Sequence, residues 1–403
     1  MGPATGAFAA AAGLAGAAGA TIVVAGPILL NIPGVGFTGM EAAPHLLASL
    51  VVVLGLWRAL NGKGAAWWLV GAAIAAPLFR YEGLALLLAA AATLWLWGDR
   101  RAAGVIACGA LGAVIGFSVF LLSLGLDPLP GSILAKTGSL DPQGGIGSRL
   151  LVGLIANLIK PAGAIPALRR GPAGAIVATV GAAAFAHLVF GQVGWMHRYE
   201  RYIIVSFLGA FLLAGSAAGP GAGSGAARIA QGAALATTAA AAIAYGPTLW
   251  GTYVWNPRAI HLQQAQMARM AQDYLKVPVA ANDLGRVAWG NPAYVLDIWG
   301  LGSVEVRDIR FGAVPFGGWA APLAAEHGVR TVMIYDTWFA SAAGPDWVRV
   351  ATPSITRPKG AIGAWTVAIY AVDPAYAAEL RAHLAAIAPT LPEGAVLSPE
   401  GGA

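Results

Sequence analysis

Predominantly apolar stretches cover residues 6–30, 41–60, 65–79, 83–98, 102–124, 150–167, 173–190, 202–217 and 228–248. At ~20 residues each such stretches match the hydrocarbon core of a bilayer, so the pattern predicts about nine membrane spans. After Trp250 the pattern changes. Within 258–276, Ile260, Met267, Met270 or Ala271, and Tyr274 fall on one helical face, and Gln263, Gln266, Arg269 and Asp273 fall largely on the other. That periodicity predicts an amphipathic helix leading out of the membrane. Beyond it, the short apolar runs VPVAA (277–281), AYVLDIWGL (293–301), VRTVMIYD (329–336) and WTVAIYAV (365–372) alternate with helical patterns at 319–327 and 374–388. Strands alternating with helices predict a small α/β domain.

The expected architecture is an α-helical polytopic membrane protein with a small C-terminal extracytoplasmic α/β domain. Its parts are a multi-span region 1–250, an amphipathic connecting helix 251–276, the α/β domain 277–390 and a flexible Pro/Gly-containing tail 391–403. Composition agrees, with 58% hydrophobic residues, 10% charged residues and a mean hydropathy of +0.69, values outside the range of an ordinary soluble domain. The opening apolar run has no basic segment before it and continues into further runs, so it reads as a membrane helix and not as a cleaved signal.

Arg58 and Lys63, Arg100 and Arg101, Arg169 and Arg170, and Arg228 occupy every second short connection. The positive-inside rule assigns those connections to the cytoplasm, with the N-terminus inside a bacterial plasma membrane and everything after Tyr245 outside. The net charge of +6 and pI near 9.6 are then largely cytoplasmic anchoring, and no nucleic-acid partner is expected. The single cysteine, Cys108, lies within an apolar run and forms no intrachain disulfide. The Gly-rich run 219–228 lacks the Gly-Lys-Ser/Thr ending of a phosphate loop and reads as a flexible connection.

On the outer side stand Glu41, Arg80, Tyr81, Glu82, Lys136, His197, Arg198, Glu200 and Arg201. Ionisable groups at the ends of apolar segments mark function in membrane proteins. Glu41 and Glu82 each open a span. A carboxylate there acts as a general base, orients a hydroxyl or binds a metal, or else it caps its helix. Arg80 either pairs locally with Glu82 or joins Lys136, Arg198 and Arg201 as cations for a phosphate or pyrophosphate. The alternative for Arg198 and Arg201 is snorkelling at the membrane surface. His197 and Glu200 are too sparse for a metal signature, and no Asp-x-Asp pair is present to hold a nucleotide sugar.

The ordered segments FTGMEAAPHLL (37–47), LFRYEGLALLL (78–88), PLPGSILAKTG (128–138), WMHRYERYIIV (195–205) and VAANDLGRVAWGNPAYVLDIWGLGS (279–303) resemble bacterial multi-span glycosyltransferases of the GT-C class, of the arabinofuranosyl- and mannosyltransferase kind. Members similar to this chain carry Gly-Met-Glu, Arg-Pro-Glu-Gly and Leu-Pro-Asn-x-x-x-Ala-Lys elements, then Asp-x-Gly and Asp-x-x-Gly-Leu in an outer domain. The resemblance implies inverting transfer of a sugar from a polyprenyl-phosphate donor to an envelope glycan, lipid or protein acceptor, in contact with membrane lipids. Glu41 and Glu82 match the motif acids, and Arg80 and Lys136 match the motif cations. Tyr81, His197, Arg198 and Arg201 join them as substrate-binding candidates, and Asp283, Gly285, Asp297, Gly300 and Leu301 match the outer-domain marks. A divalent metal is the one cofactor left open.

The departures are Tyr81 for the usual proline and Gly131 for the usual asparagine. The family's opening span and acidic outer loop also have no counterpart before residues 6–30. The expectation is therefore either a sequence without its true N-terminus or a degenerate relative that binds without catalysing. The competing readings are a noncatalytic envelope binding or assembly protein that retains the lipid-phosphate groove, and a transporter. A transporter would place its charges at the membrane midplane, and here they stand at the outer ends.

Overall fold

The computed structural model describes residues 26–28, 32, 41–131, 133, 171–191, 198–216, 225–312 and 316–400. The chain divides into two compact units, one of residues 1–124 and 142–249, the other of 125–141 and 250–403.

The first unit is helical. Its described elements are α1 (Ala42–Arg58), α2 (Trp67–Phe79), α3 (Gly83–Trp97), α4 (Arg100–Ser123), α5 (Pro172–Phe190), α6 (Arg201–Ser216) and α7 (Gly225–Thr248). Local chemistry sets their ends. Asp99 caps α4 by accepting from the Ala102 amide at 3.1 Å, and Pro172 opens α5 at a position where its missing N–H costs nothing. The helices bury Leu46, Val53, Leu56, Leu69, Leu86, Ile106, Val180 and Phe207 in one apolar cluster. By contrast, Leu111, Ile115, Phe117, Val119, Phe120 and Leu122 of α4 stay exposed, as a lipid-facing surface requires.

Among the described residues three helices are long and apolar enough to cross a membrane: Ala42–Lys63, Arg100–Ser123 and Pro172–Phe190. The expectation of about nine spans is not supported. Three further apolar helices, α2, α3 and α6, have only 13, 15 and 16 residues. At 1.5 Å per residue they fall short of a core about 30 Å thick. The runs 150–167 and most of 6–30 lie outside the described residues.

Helices α2 and α3 meet in a tight turn formed by Arg80-Tyr81-Glu82. A Cβ on Gly83 would lie 2.7 Å from the backbone carbon of Ala76. Only glycine lets the start of α3 abut the last turn of α2, which accounts for the glycine of that motif.

The second unit is built on a six-stranded sheet of β1 (Val279–Ala281), β2 (Val295–Asp297), β3 (Thr331–Ile334), β4 (Val348–Ile355), β5 (Ala368–Ala371) and β6 (Ala395–Pro399), in the order β2-β1-β3-β5-β4-β6. The strands β2, β1 and β3 are parallel and the rest pair antiparallel. The period-2 alternation divides the core. Val279, Ala281, Met333 and Ile369 join one apolar cluster with Met267, Met270, Leu380 and Leu384, while Ala280, Val332 and Ile334 join the other with Val306, Leu323 and Ala324. Helices therefore cover both faces: α8 (Asn256–Leu262) buries Ala259 and Leu262 in a small separate cluster with Ile355 and Ile362, α9 (Gln264–Arg269) and α14 (Ala377–Ile387) contribute to one side, and α11 (Val304–Gly312) and α12 (Ala321–Glu326) to the other. The short helices α10 (Leu284–Ala288) and α13 (Asp336–Phe339) follow β1 and β3.

Two expectations for this unit change. The segment 258–276 is not one amphipathic surface helix. It kinks at Gln263, whose φ of −116° and ψ of −77° separate α8 from α9, and it ends in a π-turn over Met270–Leu275. The kink shifts the helical register, so Gln263, Gln264 and Gln266 are buried and Ile260 is exposed. Residues 391–403, expected as a tail, contribute edge strand β6, which pairs with β4 from Ala351↔Pro399 to Ile355↔Ala395. Prolines at an edge remove no ladder bond on the open side, which is why Pro-containing sequence forms this strand.

The Asp297-x-x-Gly300-Leu301 element has a structural basis in this unit. Asp297 accepts from the amides of Trp299 at 2.8 Å and Gly302 at 2.7 Å. Gly300 has φ +89°, and an added Cβ would sit 2.9 Å from the Arg307 backbone. Gly300→Ala is expected to cost about 1–3 kcal/mol, read as a lowered thermal midpoint of the full chain in detergent. A wild-type midpoint would contradict this role for Gly300.

Candidate functional site

The first unit brings Glu41, Arg80 and Glu82 together where α1 and α3 begin. Glu41 immediately precedes α1, and Glu82 immediately precedes α3, yet neither side chain caps its helix. Both turn instead to Arg80. Its Nη1 donates to Glu41 Oε1 at 2.7 Å and its Nη2 to Glu82 Oε1 at 2.9 Å. The three side chains are 4% (Arg80), 18% (Glu82) and 40% (Glu41) exposed, so Glu41 is the most accessible member. The Arg80 guanidinium also lies 4.6 Å from the Tyr199 ring centroid, and Arg198 stacks on the same ring at 4.9 Å. Arg198 Nη2 donates to the Tyr199 hydroxyl at 2.9 Å.

A second set of side chains supports this cluster. Tyr202, at the start of α6, donates its hydroxyl to the Glu82 backbone carbonyl at 2.8 Å and lies 3.2 Å from His187 Nδ1. Since the single phenolic proton goes to the carbonyl, His187 Nδ1 must carry the hydrogen of the second bond. The His45 ring packs on Tyr202 at 4.5 Å from the other flank. This belt fixes the height of the Glu82 backbone.

Burial alone would raise the Glu82 carboxyl, but the adjoining charge and hydrogen bond of Arg80 hold it below the usual carboxylate range. Burial would likewise lower Arg80, and Glu82 and Glu41 outweigh that and raise it. Each charge is therefore kept by its partner.

Glu41, Arg80, Glu82 and Arg198 are brought together in this way. Tyr81 lies in the same turn, and its hydroxyl has no hydrogen-bond partner among the described residues. Arg201 is 2% exposed and stacks on Tyr245 at 4.6 Å, so it is a buried residue and not a surface cation. Glu200 is fully buried. Lys136 and His197 lie outside the described residues. No group of three or more His, Cys, Asp or Glu side chains that could hold a metal occurs among the described residues.

The second unit holds residues that sequence reasoning missed. Arg307 pairs with Asp127 at 2.7 Å, and a Cβ on Gly131 would meet the Leu301 carbonyl oxygen at 3.2 Å, so the segment carrying Leu129-Pro130-Gly131 packs beside the Asp297-x-x-Gly300-Leu301 loop. At the carboxyl ends of β1 and β3, Tyr335 donates to Gln263 Oε1 at 2.7 Å and lies 3.1 Å from Asp283 Oδ2. Gln264 Nε2 donates to the same Asp283 oxygen at 2.7 Å. Burial, then the Asp283 carboxylate, pushes the Tyr335 phenol well above its ordinary value. The available signal was positional, since Asn282-Asp283 follow, and Tyr335-Asp336 end, apolar runs predicted as strands in an α/β pattern.

A family model described as a domain of unknown function (DUF8728) matches residues 255–373. The match covers α8 through β5 and includes Asp283, Tyr335 and the Asp297 loop. No curated protein and no solved structure matches the chain.

The depressed Glu82 value fixes a pH dependence. A carboxyl whose folded value lies below its unfolded one stabilises the fold above the unfolded value, and that stabilisation is lost as pH falls through the folded value. The thermal midpoint of the full chain is expected to fall as pH drops below the ordinary value of 4.5, with a shallower fall in Glu82→Gln. Identical acid profiles for the two proteins would contradict the Arg80–Glu82 pairing.

Proposed function

We propose that this protein is a membrane-embedded glycosyltransferase that moves a sugar from a polyprenyl-phosphate donor to a cell-envelope acceptor on the outer face of a bacterial plasma membrane. In this reading the N-terminus is cytoplasmic, the sheet unit is extracytoplasmic, and apolar runs shorter than a full span complete the multi-span architecture beside the three long helices. The observation that carries the proposal is the convergence of Glu41, Arg80 and Glu82 on one another in a helical unit with three helices long and apolar enough to cross a membrane. These are the residues that match the acids and one cation of the GT-C resemblance.

The roles follow from exposure and pairing. Glu41, the accessible carboxylate, takes the proton from the acceptor hydroxyl as that oxygen attacks the anomeric carbon. The bond from that carbon to the phosphate oxygen breaks, and the polyprenyl phosphate leaves with the electron pair. Arg80 is committed to two carboxylates, so here it orients both acids and keeps Glu82 ionised. Phosphate binding then falls to Arg198 and Lys136, whose donors suit a lipid phosphate. Glu82 holds Arg80 from the buried side.

The closed ion triad also favours a second reading, a noncatalytic envelope binding or assembly protein, because a guanidinium with both forks on carboxylates is a sufficient structural clamp. The assay that separates the two is transfer from radiolabelled polyprenyl-phosphate sugars by the purified chain. The transferase reading expects turnover that falls about 10²–10⁴-fold in Glu41→Gln. Turnover that survives Glu41→Gln would overturn the assignment of the base. Binding of the lipid without turnover would favour the noncatalytic reading.

A further inference from the structure

Helices α1 to α4 pack on one another and are joined by short turns, so they run alternately in opposite directions. The connection from α1 to α2 (59–66) and the one from α3 to α4 (98–99) therefore lie at one end of this group, and the Arg80-Tyr81-Glu82 turn lies at the other. The two ends treat charge differently. At the Arg80 end the guanidinium and the two carboxylates satisfy one another. At the opposite end Arg58, Lys63, Arg100 and Arg101 are all exposed, and none has an ion-pair partner among the described residues. Asp99 is the single carboxylate in these two connections, and its Oδ1 is spent on the Ala102 amide at 3.1 Å. Two helix N-termini and two C-termini meet at this end, so their dipoles largely cancel and the side chains set its sign. Four cations against one carboxylate leave it positive.

Aromatic rings accompany the cations. The Arg58 guanidinium lies 5.9 Å from the Trp68 ring centroid, and that of Arg100 lies 5.4 Å from the Trp95 centroid. Trp67 and Leu96 at this end are each 84% exposed. The cations stand at the ends of Ala42–Lys63 and Arg100–Ser123, two of the helices long and apolar enough to cross a membrane. Tryptophan at the end of such a helix sits at the level of the lipid headgroups, and Lys and Arg extend their charge to the same level.

We infer that this end of the helical unit binds anionic phospholipids selectively, through phosphate and headgroup oxygens that accept from Arg58 and Lys63 on one turn and from Arg100 and Arg101 on the other. The four side chains offer donors only and carry positive charge, so an acceptor anion fits them and an ammonium does not. A zwitterionic lipid brings a choline cation with its phosphate, which these side chains repel, and that repulsion is the source of the selectivity. Lipid is favoured over a soluble anion because acyl chains also cover the exposed Trp67 and Leu96. The inference is independent of the transferase reading, which rests on the opposite end of these helices.

The test is native mass spectrometry of the full chain in detergent with an equimolar mixture of phosphatidylglycerol and phosphatidylcholine. Wild type is expected to retain phosphatidylglycerol at least about fivefold over phosphatidylcholine, the ratio that about 1 kcal/mol from one basic residue at an anionic surface produces. Arg58→Gln, Lys63→Gln, Arg100→Gln and Arg101→Gln combined are expected to bring the two lipids to near parity. Either pair alone, on one turn or the other, is expected to lower the ratio at least about twofold, so the result does not depend on the fourfold variant folding. Lysine at 58, 100 and 101 keeps the charge and is expected to keep the preference. Lys276→Gln with Arg286→Gln removes two exposed cations of the sheet unit and is expected to retain the wild-type ratio. Excess glycerol phosphate, the headgroup chemistry without acyl chains, is expected to leave the lipid bound. Equal retention of both lipids by wild type, a preference untouched by the glutamine variants, the same loss in the sheet-unit control, or displacement by glycerol phosphate would each overturn the inference.

Discussion

One guanidinium organises the helical unit. Arg80 is 4% exposed and holds carboxylates from the starts of two helices. Removing one member of a buried charged pair leaves its partner uncompensated, at about 3–5 kcal/mol, whereas the intact pair contributes little net stability. The triad is therefore a device for position and not a source of stability. It fixes where α1 and α3 begin relative to each other, and it sets which carboxylate faces outward. Gly83 makes the turn close enough for this geometry, and Tyr202 holds the Glu82 backbone from below.

In the sheet unit the constraint is backbone geometry. Asp297 folds its loop through two amide donors, and Gly300 allows that loop to touch the Arg307 backbone. Arg307 then pairs with Asp127. Two motifs far apart in sequence are brought together by these small contacts. The same unit links the ends of β1 and β3 through Asn282, Asp283, Tyr335, Gln263 and Gln264, and leaves the buried Gln264 Oε1 without a hydrogen-bond partner among the described residues.

The sequence was legible where the signal was local. Hydrophobic length placed the helical segments, and short β-branched runs located β1, β2, β3 and β5. It failed where tertiary context decides. The count of about nine spans is not supported among the described residues, because helices such as α2 are apolar yet shorter than a full span. Gln263 and Gln266 read as part of a polar surface face because the kink between α8 and α9 has no sequence signature, and only the folded unit shows them buried, Gln263 against Tyr335. Strand β6 was hidden by Pro392 before it and Pro399 at its end. Of the candidate site, Glu41, Arg80 and Glu82 were visible as charges at the ends of apolar segments. The local Arg80–Glu82 pair was among the readings, but the pairing of Arg80 with Glu41 across 39 residues was not, because helix capping or catalysis satisfies a carboxylate at Glu41 equally well.

The most direct test is a double-mutant cycle on Arg80 and Glu82, measured by reversible denaturant unfolding of the full chain in detergent with Arg80→Gln, Glu82→Gln and the double variant. If Arg80 holds its place through Glu82, the losses are strongly non-additive, with a coupling of about 1.5–3 kcal/mol and a double variant no less stable than Arg80→Gln alone. Losses that add within about 0.5 kcal/mol would show the two side chains acting independently and would contradict the account.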